Sequence, residues 1–249
     1  MSRSELEDRV VVITGASKGL GRAMALGFAG AGADVVVSSR RLEACEAVAD
    51  EIRARGRKAL AVACHVGDWS QCDHLIEAAV GTFGHIDVLV NNAGIAPVPP
   101  SIGEVTSELF DKTIGVNLKG PLRLSGQAAP HMPPGSAIIN ISSKASLHPN
   151  PVTAVYAAAK AGLNALTRAL AHELGPDIRV NAIVCGTFRT ASLESHLASA
   201  EGASGLAAGL ALGRIAEADE IVGTALYLAS PSAASYLTGA LIVLDGGGG

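Results

Sequence analysis

Short continuous apolar runs alternate along this chain with longer stretches in which apolar positions recur at helical spacing. Val10-Val11-Val12-Ile13-Thr14 is the first run and predicts a buried strand; the glycine-rich loop from Gly15 to Gly21 then opens a helical pattern through Ala31. Asp34 to Val37 predicts a second strand, followed by Ser38-Ser39-Arg40-Arg41, a helix over Leu42 to Arg55 and a third strand at Ala59 to Ala63. Four more strands are predicted at Val88 to Val90, Ala137 to Ile141, Val180 to Val184 and Leu241 to Leu244. Helices are predicted near Gln71 to Thr82, Ser107 to Ala129, Thr153 to Leu174 and Ala218 to Leu228. Strict alternation of this kind implies an α/β fold: a doubly wound, seven-stranded parallel sheet with right-handed crossovers and helices on both faces.

No linker-like composition divides residues 1–249, so one domain is expected. The irregular stretch is Thr187 to Arg214, rich in Ala, Gly, Ser and Leu without a clean period. A long segment of this kind is expected to be a substrate lid at about 187–214, with a poorly patterned structural insert as the alternative.

Composition narrows the picture. The 249 residues are 49% hydrophobic but only 3% aromatic, with 29 glycines, so the core must be built from Val, Ile, Leu and Ala with close helix-to-sheet approach. A formal net charge of -4 offers no basic footprint for nucleic acid. No apolar stretch approaches a membrane span, and no C-x-x-C pairing or secretory leader accompanies Cys45, Cys64, Cys72 and Cys185, so free thiols in a cytoplasmic protein are expected. Seven histidines without ligand spacing argue against a metal site.

The candidate chemistry sits at the strand-to-helix junctions. Gly15, Gly19 and Gly21, at the first of them, suit a phosphate: glycine lets the backbone approach closely, and a helix N-terminus supplies free N–H groups and partial positive charge. Where the second strand ends, the ribose of an adenine dinucleotide would be read; no carboxylate stands there, and Arg40 with Lys18 favours a 2′-phosphate, unless the arginines only begin a solvated helix. Asn91-Asn92-Ala93-Gly94 follows the fourth strand, where Asn amides can tie neighbouring strand ends or simply form a turn. Asn117, in a largely apolar helix, needs a partner if buried. Tyr156 and Lys160, one turn apart, point a phenol and an ammonium from one helix face. At about 4 Å and an effective dielectric near 20 their attraction would be roughly 4 kcal/mol, enough to draw the phenol pKa towards neutrality. An ordinary solvated helix face has the same spacing.

In order along the chain, Thr14-Gly15-Ala16-Ser17-Lys18-Gly19-Leu20-Gly21, Asn91-Asn92-Ala93-Gly94, Asn117, Ile141-Ser142-Ser143 and Tyr156-Ala157-Ala158-Ala159-Lys160 resemble the motifs of the classical short-chain dehydrogenase/reductases. The resemblance covers essentially the whole chain, through Leu212-Gly213-Arg214, Leu237-Thr238-Gly239 and Asp245-Gly246-Gly247, and implies a Rossmann fold. It further implies a catalytic tetrad of Asn117, Ser143, Tyr156 and Lys160, with Tyr156 exchanging the proton, Ser143 holding the substrate oxygen, Lys160 bonding the nicotinamide ribose and lowering the tyrosine pKa, and Asn117 positioning a water. The implied cofactor contacts are Gly15, Ser17, Lys18, Gly19, Leu20, Gly21, Ser39, Arg40, His65, Val66, Asn92, Ala93, Gly94, Tyr156, Lys160, Gly186, Thr187 and Thr190, for NADP(H) in preference to NAD(H).

Three positions depart from the family pattern. His65-Val66 stands where Asp-Val is usual, Cys185-Gly186 where Pro-Gly is usual, and Lys144 adds a cation after the serine. The expected activity is an NAD(P)-dependent interconversion of a ketone or aldehyde with an alcohol, on a small-molecule substrate with an apolar body, judged from Phe188, Leu193, Leu197, Leu206 and Leu210. The resemblance also implies a homotetramer. Reduction of a 3-oxoacyl carrier protein is the alternative within the enzymes, weakened by the lack of Arg or Lys at Ala129-Pro130-His131-Met132-Pro133-Pro134 and His172. A dinucleotide sensor without catalysis is the alternative outside them.

Overall fold

Each apolar run becomes a strand of one parallel sheet: β1 (Val10–Thr14), β2 (Asp34–Ser39), β3 (Ala59–Ala63), β4 (Val88–Asn91), β5 (Ser136–Ser143), β6 (Ile178–Cys185) and β7 (Leu241–Leu244). The computed structural model describes residues 5–190 and 205–248. The helices are α1 (Gly19–Gly30), α2 (Leu42–Arg53), α3 (Trp69–Phe83), α4 (Ser107–Ile114), α5 (Gly120–Ala128), α6 (Ala154–Glu173) and α7 (Ile221–Ala229). The expected segments hold, and β5 and β6 extend beyond the apolar runs because Ser136, Ser142 and Ser143 continue the parallel register with β6.

The strand order is β3-β2-β1-β4-β5-β6-β7, the doubly wound order expected. Alternate residues of each strand face opposite layers. Val11, Ile13, Val35 and Val37 join Met24, Phe28, Cys45 and Leu228 on one face, while Val12, Val36, Leu89 and Ile138 join Leu75, Leu124 and Leu170 on the other. Both faces are therefore buried, which is why β1 reads as a continuous apolar run, while β6 also buries Arg179 and Asn181, each bonded to backbone carbonyls. Strand order reverses between β1 and β4, and an open sheet of this kind leaves its ligand crevice outside the carboxyl ends of the strands at that point.

One predicted helix differs in detail. Ser107 to Ala129 is helical, but Gly115–Lys119 form a π turn in which the Gly120 N–H donates to the Gly115 carbonyl. The cause is the Asn117 amide, which donates to the Thr113 carbonyl at 2.9 Å and so takes an acceptor from the backbone ladder. Of the expected lid, Thr187 to Thr190 and Gly205 to Arg214 are described; Leu193 and Leu197 lie outside the described residues. Phe188–Arg189 pair in parallel with Ala216–Glu217, closing the base of that excursion. All four cysteines are free and buried. Among the described residues, no helix is long and apolar enough to cross a membrane, and no three metal-ligating side chains cluster.

Candidate active site

The strand-end residues converge. Gly15 and Gly19 take φ of +65° and +55°, the left-handed region where a side chain would be strained. A Cβ on Gly21 would stand 2.3 Å from the Gly15 carbonyl oxygen, so only glycine lets α1 start this close under the loop. Lys18 caps α1 without a side-chain bond and no acidic residue stands in the first turn. The first-turn N–H groups thus face the loop with neither a side-chain acceptor nor a repelling carboxylate, which is what a pyrophosphate needs. Leu20 packs against the core, while Ser17 is partly exposed beside Lys18. The dinucleotide fits this cradle.

Asn92 joins the two halves of the sheet across the seam. Its amide donates to the Thr14 carbonyl at 2.8 Å and the Gly15 carbonyl at 3.2 Å. The Thr14 hydroxyl in turn accepts the N–H groups of Asn92 and Ala93, both at 3.1 Å. The asparagine therefore ties strand ends rather than forming a plain turn. Thr14 was not singled out from sequence, although a polar residue closing an apolar run was the available signal.

Gly94 brings this loop to the catalytic candidates, since a Cβ there would lie 3.0 Å from Asn117 Oδ1 and 3.6 Å from Lys160 Nζ. Asn117 exchanges two hydrogen bonds with Ile95: its Nδ2 donates to the carbonyl at 2.8 Å and its Oδ1 accepts the N–H at 3.3 Å. Both of its donors are thus spent on backbone, on Ile95 and Thr113. Ser143 ends β5 opposite Cys185, and its hydroxyl accepts the Ala145 N–H at 3.2 Å. Ser146 donates to the Ser143 carbonyl at 2.6 Å and accepts from Asn164 Nδ2 at 2.8 Å, so α6 braces the serine one turn beyond Lys160. Neither Ser146 nor Asn164 was foreseen; a buried Asn on an otherwise apolar stripe was the signal for the second.

Electrostatics correct one expectation. Burial pushes the Tyr156 phenol up from its ordinary value, partly opposed by its hydrogen bond to Ser143, and no depression by Lys160 appears. The reason is geometric: the Lys160 ammonium bonds the Ile141 carbonyl at 2.7 Å and lies 5.9 Å from the centroid of the Tyr156 ring. Lys160 is itself only 3% exposed, and burial brings its pKa down to about 8. Burial likewise pushes the Cys185 thiol up to about 12, so it stays a neutral thiol packed at the end of β6.

The sequence profile of the family described as enoyl-(acyl carrier protein) reductase matches residues 15–248. L-rhamnose 1-dehydrogenase (NAD(P)(+)) of Azotobacter vinelandii is 39% identical over 250 residues, covering 97% of each chain. The solved short-chain dehydrogenase/reductase of Serratia marcescens superposes with a TM-score of 0.91 at 35% identity, covering 98% of this chain and 99% of that one. A blue fluorescent protein from a metagenomic library, solved in complex with NADPH, also reaches 0.91, at 32% identity and with coverage of 98% and 99%. The chain belongs to the short-chain dehydrogenase/reductase family. It is an NAD(P)-dependent oxidoreductase.

In this short-chain dehydrogenase/reductase the remaining residues expected to contact the cofactor stand at or beyond the carboxyl ends of β2, β3 and β6. Ser39 ends β2 with its hydroxyl 3.0 Å from Cys45 Sγ, and Arg40 beside it is exposed. His65 is held by its N–H to Gln71 Oε1 at 2.8 Å, and its ring covers Gly67, where a Cβ would meet it at 2.9 Å. Val66 is buried. Gly186 lies so close to Asp245 that a Cβ would be 2.5 Å from its Cα, so the exchange of Pro for Cys185 leaves this turn fixed by glycine. The Thr187 carbonyl accepts the Ala216 N–H, while Thr190 reaches the Gly loop, its Cγ2 3.4 Å from where a Gly19 Cβ would stand. Trp69 starts α3 at 43% exposure beneath Arg123 and Lys119.

Proposed function

We propose that this enzyme is an NADP(H)-preferring carbonyl reductase or alcohol dehydrogenase in which Tyr156 is the general acid and base. The observation that carries the reading is the meeting of Ser143, Tyr156 and Lys160 at the strand ends beside Gly94, the turn tied through Asn92 to the phosphate cradle. When bound, the nicotinamide supplies or accepts the hydride. Gly15, Gly19 and Gly21 hold the pyrophosphate with α1 N–H groups, and Lys160 holds the nicotinamide ribose. Ser143 orients the substrate oxygen, and Tyr156 gives it a proton in reduction or takes one in oxidation.

Preference for the 2′-phosphate rests on Lys18 and Arg40. Both side chains are exposed at the mouth of the crevice and without an ion pair among the described residues, and no carboxylate ends β2 to repel the phosphate. The same proposal includes a homotetramer, supported by the edge strand β7 with Val243 half exposed, by fully exposed Tyr236, and by Phe110 and Leu122 presented to solvent on α4 and α5.

Loss of NADPH absorbance with a panel of ketones and aldehydes tests the activity. Turnover by the wild type that Tyr156→Phe abolishes is the expected result. Cofactor binding without turnover by the wild type would favour a dinucleotide sensor, and turnover confined to 3-oxoacyl carrier protein would favour the acyl reductase.

A further inference from the structure

Lys144 has no part in the tetrad, yet it is the residue directly after Ser143. Its ammonium crosses 104 positions of sequence to donate to the Gly248 carbonyl at 2.9 Å, and it makes no ion pair among the described residues. The turn that carries it is fixed, because the Lys144 carbonyl accepts the N–H groups of Leu147 at 3.0 Å and His148 at 2.8 Å. The receiving strap is fixed as well. Gly246 and Gly247 take φ of +69° and +75°, a conformation that an L side chain would strain.

The strap in turn carries the far side of the crevice. The Leu212 N–H donates to the Gly246 carbonyl at 3.1 Å. A Cβ on Gly247 would lie 2.6 Å from Ala211 Cβ, and one on Gly248 would lie 2.7 Å from Leu210 Cδ2 and 2.9 Å from Lys144 Nζ. The glycine backbone of the strap is therefore packed directly against the Leu210, Ala211 and Lys144 side chains, just beyond the carboxyl ends of β5, β6 and β7. That end of the sheet holds Ser143 and Cys185 and lies away from the phosphate cradle on β1.

We infer that Lys144 is a positioning residue that latches Gly246–Gly248, and with them Leu210–Gly213, to the catalytic strand, setting the wall against which the carbonyl substrate is held. The inference rests on the proposed reductase activity for its kinetic consequence. A latch at this place acts on substrate and leaves the cofactor cradle alone.

The test compares Lys144→Met, Lys144→Arg and Gly248→Ala in the full-length enzyme. Lys144→Met removes a charge-assisted, part-buried bond to the Gly248 carbonyl, so the KM for the ketone should rise about tenfold while the dissociation constant for NADPH, read by fluorescence, stays unchanged. Lys144→Arg, which keeps a cationic donor, should restore the KM. Gly248→Ala should raise KM through the crowding of Leu210, and combining it with Lys144→Met should add little. Hydrogen exchange at the Leu212 amide should quicken in Lys144→Met and in Gly248→Ala. An unchanged KM and unchanged Leu212 exchange in Lys144→Met would overturn the latch, as would equal losses in ketone and NADPH binding. If the wild type turns over no ketone, the reductase reading falls, whereas the Leu212 exchange still decides whether the latch exists.

Discussion

The Lys160 ammonium is bonded to the Ile141 carbonyl at 2.7 Å inside the molecule, and burial there brings its pKa from 10.5 to about 8. The folded enzyme therefore binds fewer protons at this residue than the unfolded chain between about pH 8 and 10.5, and stability contributed by this group rises with pH across that window. Below about pH 8 the burial cost is fully present, at most about 3 kcal/mol. Lys160→Met should abolish turnover yet raise the melting temperature at pH 7 by several degrees, with the gain shrinking towards pH 10.5. Calorimetry at pH 7 and pH 10 checks it; an equal or lower Tm at pH 7 would contradict the burial cost.

Burial holds the Tyr156 phenol protonated at neutral pH. Ketone reduction, which consumes that proton, should run on a plateau through neutrality, whereas alcohol oxidation, which needs the phenolate, should climb as pH rises into the alkaline range. Tyr156→Phe should lower kcat/KM by about 10² to 10⁴ in both directions and leave NADPH binding in place. Opposite slopes in the two directions are the signature to measure.

Arg40→Asp should raise the KM for NADPH far more than that for NADH, because the new carboxylate repels a 2′-phosphate and accepts from a free 2′-hydroxyl. Identical kinetics with both cofactors before and after the change would reject the arginine argument.

Thr14→Val keeps the shape of the side chain but removes the acceptor for the N–H groups of Asn92 and Ala93. A loss of about 1–3 kcal/mol in urea unfolding is expected, together with weaker NADPH binding. Retained affinity would mean that the seam needs only the Asn92 amide.

Self-association through the β7 edge predicts that Val243→Lys converts an oligomer to smaller species in sedimentation. A wild-type monomer at micromolar concentration would contradict the tetramer.

The strands were legible as short apolar runs, continuous in β1 because both its faces are buried, and β1, β3 and β7 appear with the bounds the runs predict even though the last two are edge strands. The cradle was legible for a local reason, since the positive φ of Gly15 and Gly19 and the approach of Gly21 to the Gly15 carbonyl are demands of one turn, although Asn92, Ala93 and Thr190 also crowd these glycines. What escaped depends on distance or burial. Spacing places Tyr156 and Lys160 on one face, but only the fold shows the ammonium drawn off to Ile141 and the phenol desolvated, which reverses the expected direction of its shift. The π turn follows from an Asn117 amide that takes the Thr113 carbonyl while also reaching Ile95, and the Lys144 bond joins positions that no local pattern connects.

The Asn92 stitch has a kinetic meaning. With both its donors on the backbone at the end of β1 and the Thr14 hydroxyl accepting its N–H, the Asn92 turn ties the two halves of the sheet at the mouth of the seam. A dinucleotide bound there would then meet a slot already shaped for it, so its arrival should follow a single phase whose rate rises linearly with cofactor concentration, without a slower opening phase.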